Sequence, residues 1–282
     1  MRTIKFIVIL SGLVCTASIC AAGGPGAPVT PPAGQKWYAS FVTPAKSTAA
    51  ASGTSVGHTR LVGYWKFDEP AGNVAMDSSG RGHNGEILNG TRVPGVSGQG
   101  LQCNGLGSGV DIADVPDFET SGSLAVMGWV KITMQPDYRT LIFFRGDNRP
   151  GMDPYVLGVD KDGTILFQIQ DSSNQSDSVS APAPLHKFFH VAGMFDSHAR
   201  TLALYLDGKK VASKTTDIVP MAGLLPEYRS GVGICHHAMR ARGDYGFDGV
   251  VDEIKLYAEP LKAVDVSQDY KASRAIMQVD KN

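Results

Sequence analysis

The chain has no surplus of either charge. Its 282 residues hold 26 Lys and Arg against 27 Asp and Glu, a net of −1. So close a balance supplies no electrostatic drive toward nucleic acid or an anionic membrane. Tryptophan is scarce, with 3 in all. That thins the stock of aromatic platforms on which a sugar ring could rest. No Gly-x-Ser-x-Gly elbow occurs, so a Ser/His/Asp hydrolase has no support. Beyond residue 20 there is no second long apolar run, so no membrane span is expected in the mature chain. Runs with helical periodicity are also rare, whereas glycine is plentiful at 33. The composition points to a turn-rich, all-β protein.

The first 22 residues read as a signal peptide. Arg2 and Lys5 form a positive start, Phe6–Cys20 is apolar, and Ala21-Ala22-Gly23 are small enough for cleavage. Export is expected, to a secreted, periplasmic or extracellular location; an uncleaved anchor is the alternative. Residues 23–59 are rich in Pro, Ala, Ser, Thr and Gly, too poor in apolar side chains to offset chain entropy, and read as a linker. Residues 60–273 read as the folded domain and 274–282 as a tail. Of 4 cysteines, Cys15 and Cys20 belong to the signal. Cys103 and Cys235 remain, an even pair that an oxidising compartment would bridge. Two buried free thiols are the alternative.

From Arg60 onward, short alternating runs are separated by turn signals. SLAVMGWVKI, RTLIFFR, PYVLGVD, TILFQIQ, FFHVAGMFD and RTLALYLDG read as strands. Asp162-Gly163 and Asp207-Gly208 each sit between two such runs, which predicts hairpins. Many short strands in this rhythm imply an antiparallel sandwich or jelly roll. A short helix is expected near the C-terminus, where Leu261, Val264, Val266 and Tyr270 follow Pro260 at roughly helical spacing. In FDGVVDEIKLY (247–257), strict alternation places Asp252 inward with Val250, Ile254 and Leu256, and Glu253 outward with Lys255 and Tyr257. On that reading the two adjacent acids cannot converge on one substrate bond.

LVGYWKFDEPAGNVAMDSSGRGHNGEI resembles the opening of the laminin G-like jelly rolls of the concanavalin A-like lectin/glucanase superfamily. SLAVMGWVKI, HKFFHVAGMFDSHARTLALYLDGKKVAS and FDGVVDEIKLYAEPLKAVDV resemble its later segments, in order. The resemblance spans about residues 60–272. It implies two antiparallel sheets, with the N- and C-terminal strands of the domain side by side. Some members of this superfamily hold calcium with carboxylates and backbone carbonyls. The positions here would be Asp68, Asp77 and Asp252, with carbonyls of the DSSGRGHNG loop. The alternative is that Asp252 accepts backbone N–H bonds from a nearby turn, with no ion.

The superfamily also contains glucanases, and glycoside hydrolysis needs two carboxyl groups flanking one bond. The alternating acidic strand of that branch is absent, so catalysis is not expected. Cys235-His236-His237 suggests zinc, but the further ligands lie at no useful spacing, and a solvated loop is the expectation. The RGD triplets at 145–147 and 242–244 are too short to inform. Candidate binding residues come from the loops: Tyr138, Arg139, Asp147, Asn148, Arg149 and Tyr245. The expected partner, by analogy with the superfamily, is an extracellular glycan or glycoprotein. A protein-assembly module is the alternative.

Overall fold

The computed structural model describes residues 6–10, 13–17, 60–120, 122–147, 149, 151–228, 230–237 and 245–279. The chain divides into two compact units, Met1–Ala49 and Ala50–Asn282. In the first, β1 (Phe6–Leu10) and β2 (Leu13–Ala17) pair antiparallel. The linker read at 23–59 lies outside the described residues.

The second unit is a two-sheet sandwich. Its strands are β3 (Leu61–Trp65), β4 (Val74–Ala75), β5 (Gly85–Leu88), β6 (Thr91–Pro94), β7 (Gln99–Asn104), β8 (Gly109–Ala113), β9 (Leu124–Ile132), β10 (Thr140–Gly146), β11 (Tyr155–Val159), β12 (Thr164–Gln170), β13 (Ser176–Pro182), β14 (Phe188–Asp196), β15 (Thr201–Leu206), β16 (Lys209–Thr215), β17 (Gly231–Ile234) and β18 (Asp248–Tyr257). One helix follows, α1 (Ala263–Val279). It continues to Val279, into the stretch that the sequence places in the tail. One sheet has the order β13-β12-β11-β10-β17-β8-β5-β4, and the other β16-β15-β14-β9-β18-β7-β6. β3 also pairs with β18, setting Trp65 opposite Ile254, so the first and last strands of the domain lie side by side as expected.

Alternation explains the core. Along β9, Leu124, Val126, Val130 and Ile132 face the interior, where they join Val251, Ile254 and Leu256 of β18 and the inner residues of the other sheet. Each such aliphatic side chain contributes roughly 2 kcal/mol when fully buried. The two predicted Asp-Gly hairpins are present. Asp207 and Gly208 both take positive φ, 48° and 74°, between β15 and β16. That backbone matches the twist of the strands it joins. Cys103 of β7 and Cys235 just after β17 are bridged, with Cα atoms 6.4 Å apart, tying one sheet to the other.

Candidate functional site

Strict alternation fails in the middle of β18. Asp252 stands opposite Trp129 and Lys255 opposite Met127, so Glu253 and Ile254 together face Gly128. This is a β-bulge. Glu253 takes φ +55°, a conformation uncommon for a residue with a Cβ. Val251 points inward before the bulge, and Ile254 and Leu256 after it. Asp252 therefore shares the outer face with Trp129, and Glu253 turns to the same side. The expectation of an inward Asp252 and a solvent-facing Glu253 is overturned. Both acids lie on the outer face, and both are buried there.

Asp252 is covered by the turn before β7. Its Oδ2 accepts the N–H of Val96 at 2.7 Å and of Ser97 at 3.0 Å. A side chain at Gly95 would collide with this carboxylate. Asp252 Oδ1 has no hydrogen-bond partner among the described residues and is shut off from solvent. Burial pushes the carboxyl up to about 7, against the two backbone N–H bonds; the charges of Glu253 and Asp68 add to the rise. Asp68 reaches the same turn, where its Oδ1 accepts the N–H of Gln99 at 2.8 Å. Asp77 is already saturated. It accepts from Tyr64 N–H, Ser79 N–H, the Ser79 hydroxyl and His83 N–H, all within 3.0 Å. Of the three acids named for calcium, Asp68 and Asp252 thus meet at one turn, while Asp77 is occupied in holding its own loop. Among the described residues no group of three His, Cys, Asp or Glu gathers as a metal site. An ion at Asp252 would fit the orphaned Oδ1, but would need carbonyls and water for most of its oxygens.

Glu253 opens a second polar network. Its carboxylate accepts from the Tyr64 hydroxyl and lies 3.9 Å from Lys255 Nζ. Lys255 also pairs with Asp269 of α1. Asp269 in turn lies 3.2 Å from His190 Nε2. Trp129 donates its indole N–H to Ser273 at 2.8 Å and packs against Tyr270 and His190. Trp129 is therefore part of the seat of α1, not a platform for sugar.

The predicted binding residues separate into two groups, at opposite ends of β10. At its start, the Tyr138 and Tyr245 rings meet edge to face, 6.4 Å between centroids and 78° between planes. Both are substantially exposed. Arg139 forks onto Asp160 at 3.2 and 2.9 Å and donates to Gln168 at 2.9 Å. Beside them is an open depression of about 570 Å³ lined by Gln135, Pro136, Asp137, Lys161 and Asp162. Its far wall is the β11–β12 hairpin. The Asp162-Gly163 signal located that hairpin in the sequence, but not its place against the 135–139 loop.

At the other end of β10, Asp147 and Arg149 bind each other. Asp147 accepts the Arg149 backbone N–H and, at 3.0 Å, its Nε, and also the Leu225 N–H. Burial works against ionisation here, but the Arg149 bonds outweigh it and hold the carboxyl below its usual range. The Arg149 guanidinium also sits 5.2 Å over the Tyr228 ring. This pair anchors two loops and leaves little free to meet a ligand. Arg145 is fully buried, forked onto Asp114 at 2.9 and 3.2 Å. The first RGD triplet is therefore inaccessible. Asn148, Arg240, Arg242 and Asp244 lie outside the described residues.

His236 and His237 are buried, not in the solvated loop expected. His236 Nε2 lies 3.1 Å from Asp111 Oδ1, and His237 packs on Phe144 at 4.0 Å between rings. Asp111 stands opposite Glu86 in the ladder, a cross-strand pair of acids that reading each strand alone does not reveal.

Solved structures share this architecture. Trypanosoma rangeli sialidase in complex with sialic acid matches with a TM-score of 0.58 at 21% identity, over 79% of this chain and 35% of that one. The binding domain of Paraclostridial Mosquitocidal Protein 1 matches with a TM-score of 0.60 at 12% identity, over 76% of this chain and 52% of that one. The chain thus spans about a third and about half of those proteins, and identities this low establish a shared fold alone. No curated protein matches the chain. A family model described as the concanavalin A-like lectin/glucanases superfamily matches residues 104–267, more than half of the sequence. With two antiparallel sheets, paired first and last strands and this match, the chain belongs to the concanavalin A-like lectin/glucanases superfamily.

Proposed function

We propose that the chain is an exported, non-catalytic binding module for extracellular carbohydrate, free or on glycoprotein, and that the ligand seats beside Tyr138 and Tyr245. The observation that carries this reading is the corner formed by the two exposed rings next to a depression with polar walls. Apolar ring faces with a few placed polar groups make a common ligand site, and 570 Å³ is ample for one sugar residue. Two structures of similar fold lend support: one is a sialidase in complex with sialic acid and the other the binding domain of a mosquitocidal protein. The test is a glycan array probed with the full chain, in calcium and again in EDTA. Reproducible binding of one sugar class is expected; silence across the array in both buffers contradicts the proposal.

The protein-assembly reading rests on a different observation. Leu106 and Met134 are 82% and 62% exposed and flank the start of β18, near Tyr245. A self-association constant in the micromolar range or tighter, lost in L106S/M134S, would favour that reading. Calcium remains a proposal carried by the orphaned Asp252 oxygen. Added calcium is expected to raise the melting temperature of the parent chain but not of D252N; equal responses would remove the ion from the account.

A further inference from the structure

We infer that the carbohydrate taken at the Tyr138–Tyr245 end is neutral, and that the site discriminates against sialylated or sulfated chains. This inference rests on the carbohydrate reading above and names its ligand class. Recognition of a carboxylate or sulfate is best served by an uncommitted guanidinium fork in a lining of net positive charge. The guanidinium here is Arg139, and Asp160 takes both arms of its fork. Its remaining arm goes to Gln168. The depression itself offers two carboxylates, Asp137 and Asp162, against one ammonium, Lys161. Its lining is net negative.

The same groups suit a polyol. A carboxylate only accepts hydrogen bonds, and sugar hydroxyls donate them. Asp162 uses Oδ1 for the Thr164 N–H and hydroxyl, at 3.0 and 2.6 Å, and among the described residues no hydrogen bond engages its Oδ2. Gln135 spends its Nε2 on the Lys161 carbonyl at 2.8 Å, which leaves Oε1 to accept. Lys161 can donate to a ring or hydroxyl oxygen. The perpendicular tyrosine rings supply apolar faces for sugar C–H groups. Acceptors outnumber donors, and no uncommitted guanidinium is present among the described residues of this end.

The experiment measures binding of the full chain to matched immobilised oligosaccharides: a neutral galacto- or manno-oligosaccharide, the same chain capped with sialic acid, and the same chain sulfated. Neutral chains are expected to bind at least tenfold more tightly, with little dependence on salt. D137A/D162N, which keeps the Oδ1 acceptor that holds Thr164 and replaces the Oδ2 acceptor, should lose at least fivefold in neutral binding at an unchanged melting temperature. R240A/R242A removes the two arginines that precede Tyr245 and should leave the preference as it is. A preference for sialylated or sulfated chains, especially one abolished in R240A/R242A, overturns the inference while leaving carbohydrate binding in place. Absence of binding to every chain overturns the carbohydrate reading itself.

Discussion

Asp252 shows how far residue-level reading reaches. FDGVVDEIKLY reveals a carboxylate in an apolar strand and poses the question of what satisfies it. The answer, two backbone N–H groups of a turn about 155 residues away, is a tertiary fact. The bulge at Glu253 was not legible. Glycine usually marks such a φ, and here a glutamate occupies it, held by Tyr64. A testable consequence follows from the raised carboxyl. Its native value of about 7 lies above the usual 3.8, so the folded state holds this proton more tightly than the unfolded one. The contribution of Asp252 to stability is therefore greatest below about pH 4 and declines as pH rises to about 7. In EDTA, the stability of the parent chain relative to D252N is expected to fall between pH 5 and pH 8. Denaturant melts of the two proteins at both pH values measure it; a constant difference contradicts the burial argument.

Elements were more legible than their neighbours. The Asp-Gly hairpins, the alternating strands and the terminal helix follow from local chemistry, because turn residues and periodicity act within a few positions. What α1 packs against does not. Trp129 and His190 lie on alternating strands, and nothing local says that a helix covers them. The seat of α1 makes a prediction at this scale. Asp269 lies between His190 and Lys255, and removing it takes a hydrogen-bond partner from the buried His190 ring and leaves Lys255 with the more distant Glu253, at 3.9 Å. D269A is expected to cost roughly 3 kcal/mol, the low end for breaking a buried pair because Asp269 is partly exposed. Burial opposes ionisation of Asp269, but the His190 hydrogen bond and the Lys255 charge prevail and hold it at about 2. A lowered acid stabilises fully above its unfolded value and loses that contribution as pH falls through the folded one. The helix contribution should therefore fade between about pH 4 and pH 2, read by urea titration of the parent chain and D269A. Parallel curves across that window would place Asp269 outside the seat.

For the whole molecule, the four sequence segments that resemble the superfamily are a matter of core and turn patterning. They specify which face of each strand is buried, and the sandwich follows. Function is less legible, because binding groups come from loops that only the closed sandwich brings together. Of the candidate residues, Tyr138, Arg139 and Tyr245 lie at one end of β10 and Asp147 and Arg149 at the other, with seven strand residues between. The disulfide also acts at this scale. It closes a loop of 132 residues between the two sheets. In the chain-entropy model it contributes about 5 kcal/mol. C103A/C235A should lose most of that in equilibrium urea unfolding; a loss below about 1 kcal/mol would show that the unfolded chain gains little freedom on opening.

One end of this sandwich, marked by the Tyr138–Tyr245 corner, is the place proposed for carbohydrate. The most direct measurement is calorimetric titration of the full chain and of Y138A/Y245A with the best-bound neutral oligosaccharide, alongside their melting temperatures. At least a tenfold loss of affinity is expected, about 1.4 kcal/mol, in a variant that melts as the parent does. Unchanged affinity in a folded Y138A/Y245A would contradict it and move the site elsewhere on the molecule.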